Sequence, residues 1–245
     1  MTNEKWFLNE HHTFYSASIV KLPIMATVFK HVEEGRLSLT DEITLQKTDI
    51  VGGAGVLQHM SLGRKYSVED IVTLMIIQSD NTATNILIDL VGKTPIQEVL
   101  KELQMNDSTF SHKLMKDPSD REGSNLTSAS DTANLLELLF NGVLVSQQAS
   151  HLMIQILKKQ QIRNCLPHYL PYQENEATDD KPIWKLAHKT GWVPNYRHDA
   201  GIFYVNNYPL LASVFSKDVN DIISEKTIAK IGQLIYKYLS QYSFD

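Results

Sequence analysis

Three apolar runs in quick succession constrain the fold of this chain most. They are WKLAHKTGW at 184–192, GIFYV at 201–205 and LLASVF at 210–215. Each is short and rich in aromatic, β-branched or alternating apolar residues, the pattern of strands. Asn206, Asn207, Tyr208 and Pro209 supply the turn between the last two. After them Ile228, Ile231, Leu234, Ile235 and Leu239 recur as one helical stripe that can cover a sheet. Ahead of them the period is helical. Ile19, Leu22, Met25, Ala26, Phe29 and Val32 predict a helix over 18–34 that Gly35 stops, with a kink at Pro23. Ser67-Val68-Glu69-Asp70 caps a second helix, and a third over 83–91 ends at Gly92. Others follow Pro95, open at Thr127–Asp131 and begin near Ser146; PHYLPYQENEATDDKP at 167–182 reads as an irregular surface loop. This order predicts an α+β fold, an antiparallel sheet flanked by helices plus an all-helical part. A single domain over 1–245 would then hold two subdomains, 17–181 mainly helical, and 1–16 with 182–245 as the sheet and closing helix.

Composition narrows what such a fold can serve. A net charge of −5 lacks the dense basic surface that nucleic acid requires. No apolar run reaches the length of a membrane span. The opening MTNEKWFLNEHH has neither the basic nor the apolar segment of an export signal. The single Cys165 allows no internal disulfide. Nine histidines occur without HExxH or similar ligand spacing, so no metal and no organic cofactor is expected.

Chemistry concentrates in three short motifs. Ser18-Ile19-Val20-Lys21 is S-x-x-K, Ser79-Asp80-Asn81 is S-D-N, and Lys189-Thr190-Gly191 is K-T-G. Three residues apart on a helix, Ser18 and Lys21 share a face, so the amine can reach the hydroxyl. A serine hydroxyl is a poor nucleophile until a base takes its proton, and Lys21 can do so if neutral. A second cation nearby, such as Lys189, would lower its pKa. Backbone amides at a helix start favour an incoming oxyanion beside Ser18. Ser16 is the weaker nucleophile, because three residues on stands Ile19. Taken alone, the first motif is a capping serine with a snorkelling lysine, and S-D-N is a helix cap. In chemical terms Ser79 can relay a proton and Asn81 can hold a substrate amide. Lys189 and Thr190 can take a carboxylate, and Gly191 lets a ligand approach the strand backbone.

All three motifs in this order resemble the serine β-lactamase and penicillin-binding superfamily, closest to class A β-lactamase-like serine hydrolases. MIIQSDNTATNIL, GGAGVLQ at 52–58 and HDAGI at 198–202 extend the resemblance from about Phe14 to the C-terminus. It implies Ser18 as acyl-enzyme nucleophile, Lys21 as base or relay, and Ser79 and Asn81 facing substrate. Lys189 and Thr190 would form the carboxylate site, and the amides of Ser18 and Trp192 the oxyanion hole. Arg197 would assist the carboxylate or else pair with Asp199. The implied substrate is a small molecule, a β-lactam or a peptidoglycan-like peptide. D-alanyl-D-alanine peptidase, esterase, glutaminase-like amidase and non-turnover penicillin sensor remain alternatives. Oligomeric state is left open, and the family mostly works outside the cytoplasmic membrane.

Two departures stand out. Class A enzymes carry E-x-x-x-N, whose Glu activates the deacylating water, whereas Glu122 and Asn125 here are only three apart. Glu122 is thus either the deacylation base or a solvated loop acid. Only 17 residues precede Ser18, so the sheet is expected to be short on that side. Lys5–Leu8 would supply a strand fragment, and an edge would need cover by a partner or loop.

Overall fold

The computed structural model describes residues 4–171, 184–206 and 208–241. Phe14–Tyr15 forms β1, and a 3-10 turn over Ala17–Val20 leads into α1, Lys21–Glu33. Pro23 therefore falls in the first turn of α1, where its missing amide would have had no helical partner. Leu22 to Phe29 are buried without interruption, so α1 is wrapped on all sides and forms the centre of the helical layer. Around it stand α2 (Val68–Ile77), α3 (Asn81–Val91), α4 (Lys93–Glu102), α5 (Ala129–Phe140) and α6 (Gln147–Lys158).

Caps fix where these helices start. Ser67 accepts from Asp70 N while Asp70 accepts from Ser67 N, a reciprocal box; Asp80, Ser128 and Ser146 cap α3, α5 and α6. Each such cap contributes about 1 kcal/mol. Two short pairs escaped the sequence pattern because they hold too few residues to show a period. They join β2 (Glu42–Thr44) to β3 (Lys65–Ser67), and β1 to β4 (Leu126–Thr127).

The main sheet has the order β5 (Trp184–Val193), β6 (Tyr196–Val205), β7 (Tyr208–Lys217), antiparallel throughout. Ala187, Ala200 and Ile202 face the helical core, while Leu186 and Phe203 face α7, Asp221–Leu239. The α+β expectation holds, and strands and helix α7 follow the predicted order. Three details differ. β6 begins five residues earlier than expected, Tyr208 and Pro209 belong to β7 rather than to the turn, and Leu234 is 57% exposed on α7. Asn207 and residues 172–183 of the expected loop lie outside the described residues, whereas Leu166 and Leu170 are buried against α7. Residues 4–8 form no strand, so among the described residues the sheet ends at β7.

Candidate active site

The turn bearing Ser18 is held from two sides. Ser16 N donates to Asn125 O at 2.8 Å, and His198 Nε2 donates to Tyr15 O at 2.9 Å. Burial pushes His198 down to about 4, which keeps the imidazole neutral for that contact. Ala17 has φ +45°, a conformation that costs a non-glycine residue on the order of 1 kcal/mol and that commonly marks functional turns. Ser16 is buried and its hydroxyl turns back to Ala17 O, whereas Ser18 keeps partial exposure.

Strand β5 is packed directly on this turn. A Cβ on Gly191 would stand 3.0 Å from Ile19 Cγ1, 3.4 Å from Ala17 Cβ and 3.3 Å from His198 Cδ2. A side chain there would press Ile19 and Ala17, the residues flanking Ser18, away from the strand by a few tenths of an ångström.

Side chains alternate along β5, so Lys189 points to the same face as Gly191 and Ala187. Lys21 and Lys189 are both fully buried. Lys21 Nζ lies 2.6 Å from Ser79 O, 3.0 Å from Ser79 Oγ and 3.0 Å from Asn81 Oδ1. Lys189 Nζ donates to Ser79 Oγ at 3.0 Å and to Thr190 O at 2.8 Å. One hydroxyl therefore sits between two buried amines. Burial first, then the Lys189 charge, holds Lys21 well below the ordinary lysine range, and burial brings Lys189 to about 7. Two adjacent buried ammonium ions would be costly, so the stable arrangement is a neutral Lys21 beside a cationic Lys189. A neutral Lys21 donates to Ser79 O and Asn81 Oδ1 and accepts from the Ser79 hydroxyl, whose oxygen accepts from Lys189.

The S-D-N segment links α2 to α3, as its polar composition suggested. Ser79 has φ +52°, a second strained residue at the site. Asp80, given no separate role by sequence reasoning, organises the facing loop. Its Oδ2 accepts from Val56 N at 2.6 Å and Leu57 N at 2.8 Å, while Oδ1 caps α3 through Ala83 N. A Cβ on Gly55 would lie 2.2 Å from Asp80 Cγ, so only glycine admits this contact. Asn81 Nδ2 donates to Gly52 O at 3.2 Å, and a Cβ on Gly53 would meet that nitrogen at 2.6 Å and Met115 Sδ at 3.2 Å. The glycines of GGAGVLQ were the sequence signal for this close wall. Asn85 grips Leu114 N and O at 2.9 and 3.0 Å and fixes the segment that carries Met115, a contact without a sequence signal.

Other expected site residues sit elsewhere. Glu122 is exposed and its carboxylate is held by Lys93 at 3.1 Å, which keeps its pKa below the ordinary range. Lys93 lies beyond the far end of α3, whose eleven residues span roughly 16 Å from the S-D-N end. Arg197 pairs with Glu225 at 3.3 Å and stacks 5.4 Å over the Trp192 ring, not with Asp199. Trp192 Nε1 donates to Asp221 Oδ2, so both side chains pack with α7 on the face opposite Lys189. Asp199 is instead bonded to His188 Nδ1 at 2.8 Å and Leu166 N at 2.9 Å. Thr190 opposes Asp199 in the β5–β6 register and is buried on the edge strand. Among the described residues no group of three or more metal-ligating side chains converges.

Fold and site together define a class of α+β proteins in which two buried lysines flank a buried serine between a helical layer and an edge strand. The chain matches the beta-lactamase enzyme family over residues 1–239 and belongs to it. A crystal structure of a β-lactamase from Sphaerobacter thermophilus is 32% identical, with a TM-score of 0.88 over 98% of this chain and 89% of that one. A PBP-A variant solved as an acyl-enzyme complex with penicillin G is 26% identical, with a TM-score of 0.78 over 96% of this chain and 85% of that one. A β-lactamase of Rhodobacter capsulatus is 33% identical over 91 residues, 37% of this chain and 31% of that protein.

Proposed function

We propose that this chain is a serine hydrolase that opens β-lactam or related amide bonds through an acyl-enzyme on Ser18. The observation that carries the reading is the Ser79 hydroxyl, 3.0 Å from both Lys21 Nζ and Lys189 Nζ. In the first step Ser18 Oγ attacks the carbonyl carbon and its proton passes to neutral Lys21. The carbonyl oxygen becomes an oxyanion received by the amides of Ser18 and Trp192. The C–N bond then breaks as the tetrahedral intermediate collapses. Its nitrogen takes a proton from Ser79, which is replenished from Lys21. Lys189 as an ammonium, with the Thr190 hydroxyl, holds a substrate carboxylate, and Asn81 offers its remaining amide proton to a substrate carbonyl.

Hydrolysis of the ester requires a base for water. Asp80 is occupied by three backbone amides, and Glu122 is held by Lys93 at the surface. These placements favour a slow second step, so β-lactams acylate the protein faster than they leave it. The penicillin G acyl-enzyme of the PBP-A variant supports an acyl-enzyme as the first product.

A chromogenic cephalosporin followed by intact mass tests both steps. The expected result is one stoichiometric colour burst with a mass increase, then slow turnover, with Ser18→Ala giving neither. Labelling of the Ser18→Ala variant by penicillin would overturn the nucleophile assignment. Rapid steady colour with unmodified protein would overturn the slow second step. Activity on D-alanyl-D-alanine peptides without β-lactam reaction would move the substrate to the peptidase class.

A further inference from the structure

Asn81, Asn85, Ile88, Asp89 and Gly92 follow one another at helical spacing and so share one face of α3. Asn81 stands at the Ser79 cluster, and the other four line a groove of about 550 Å³. Both walls of the groove are pinned. Thr82 Oγ1 accepts from Val51 N at 3.1 Å and donates to Val51 O at 3.2 Å, while Asn81 holds Gly52 O. On the other wall Asn85 grips Leu114. Buried Asn125 accepts from Ser111 N at 2.7 Å and His112 N at 3.3 Å, and donates to His112 O at 2.9 Å. Side chains of the protein thus hold the groove in shape without a ligand.

The two walls meet beside the site. One point, the Cβ position of Gly53, lies 3.2 Å from Met115 Sδ and 2.6 Å from Asn81 Nδ2. Met115 also lines the groove and is 57% exposed. The neck between site and groove is therefore an adaptable thioether facing a residue without a side chain. Beyond it the interior is apolar, with Ile88 and Phe110 buried, and the rim carries both signs of charge. Asp89 pairs with Lys113 and Lys93 with Glu122, all four at the surface, and Lys116 adds a further cation. Exposed pairs contribute little, so a ligand bearing both charges can exchange partners with them at small cost. From Asn81 to Asp89 is about 12 Å, which an extended chain of about four residues covers.

We propose that this groove is the subsite for the acyl arm of the substrate, entered over Met115, and that it takes an arm carrying both an ammonium and a carboxylate group. The proposal rests on the reading that Asn81 receives the substrate carbonyl of an acyl-enzyme on Ser18. An arm of this class continues from that carbonyl along the α3 face, sets its ammonium against Asp89 and its carboxylate against Lys113, and lays its methylenes on the apolar interior.

Intact-mass kinetics with two penicillins test this: 6-aminopenicillanic acid, which has no arm, and the penicillin with a δ-(D-α-aminoadipoyl) arm, which ends in an amine and a carboxylate. The arm is expected to speed acylation at least about tenfold. An Asp89→Asn, Lys113→Gln variant should lose most of that gain and leave acylation by 6-aminopenicillanic acid unchanged, since both residues are exposed and outside the Ser79 cluster. Methionine-methyl NMR reads binding without chemistry. The δ-amide of D-α-aminoadipic acid should shift the Met115 resonance in the parent and not in the double variant, with Met115→Leu for assignment. Equal acylation by the two penicillins, or a gain that survives the double substitution, would overturn the groove and leave the Ser18 chemistry standing. A Met115 shift that the double variant abolishes, with no acylation by either penicillin, would uphold the groove for such ligands and overturn the acyl-enzyme reading. Neither shift nor acylation would overturn both.

Discussion

Two lysine sites at opposite ends of α3 show how burial decides chemistry. At the near end Lys21 and Lys189 are fully buried around Ser79, and both have depressed pKa values. At the far end Lys93 holds Glu122 in an exposed ion pair that solvent screens. The residue types at both ends are ordinary catalytic candidates. Only the dry end can keep an amine neutral near neutral pH, so only that end can supply a base to a serine.

The contrast breaks most visibly if the dry end is altered. Ser18→Ala is expected to abolish penicillin labelling, read as intact mass. Lys21→Met should slow acylation by roughly 10²–10⁴-fold while folding is kept, because it removes the general base. Single-turnover kinetics with a chromogenic cephalosporin would measure this, and an unchanged rate would move the base elsewhere.

A smaller effect is expected with pH. Lys189 is cationic below about 7 and loses its proton as pH rises through that value. Capture of carboxylate-bearing substrates by the free enzyme should therefore decline above about 7, while an analogue without the carboxylate lacks that limb. Stability should show the opposite dependence at low pH. His198 lies near 4 in the folded chain against 6.5 ordinarily, so between those values the unfolded chain binds more protons. Stability is then lost as pH falls from about 6.5 to 4, on the order of 3 kcal/mol from this group. Urea titrations over that range check it, and a His198→Asn variant should flatten the slope.

The least effect belongs to the far end. Glu122→Gln is expected to leave deacylation unchanged, and accumulation of acyl-enzyme in that variant would restore Glu122 as the base.

Much of this was legible in the sequence where local patterns act alone. The S-x-x-E/D-type cap at Ser67, the stop at Gly92 and the strand runs need only neighbours along the chain. The three motifs were legible because each fixes side chains relative to its own backbone. What stayed hidden depends on distant packing. The role of Gly191 comes from Ile19 and Ala17 pressing on it, and Arg197 chose Glu225 because α7 lies on its face of the sheet. Glu122 resembled a base in spacing, but its partner, Lys93, is set by how the loop folds over α3.

Two buried amines share Ser79, one neutral and one charged. Lysine side-chain NMR, with Lys21→Met and Lys189→Met for assignment, measures this directly as a pH titration. Lys189 is expected to titrate near 7 and Lys21 well below 10.5, with the Lys21 value rising once Lys189 is replaced. Both resonances titrating near 10.5, each indifferent to removal of the other, would contradict it.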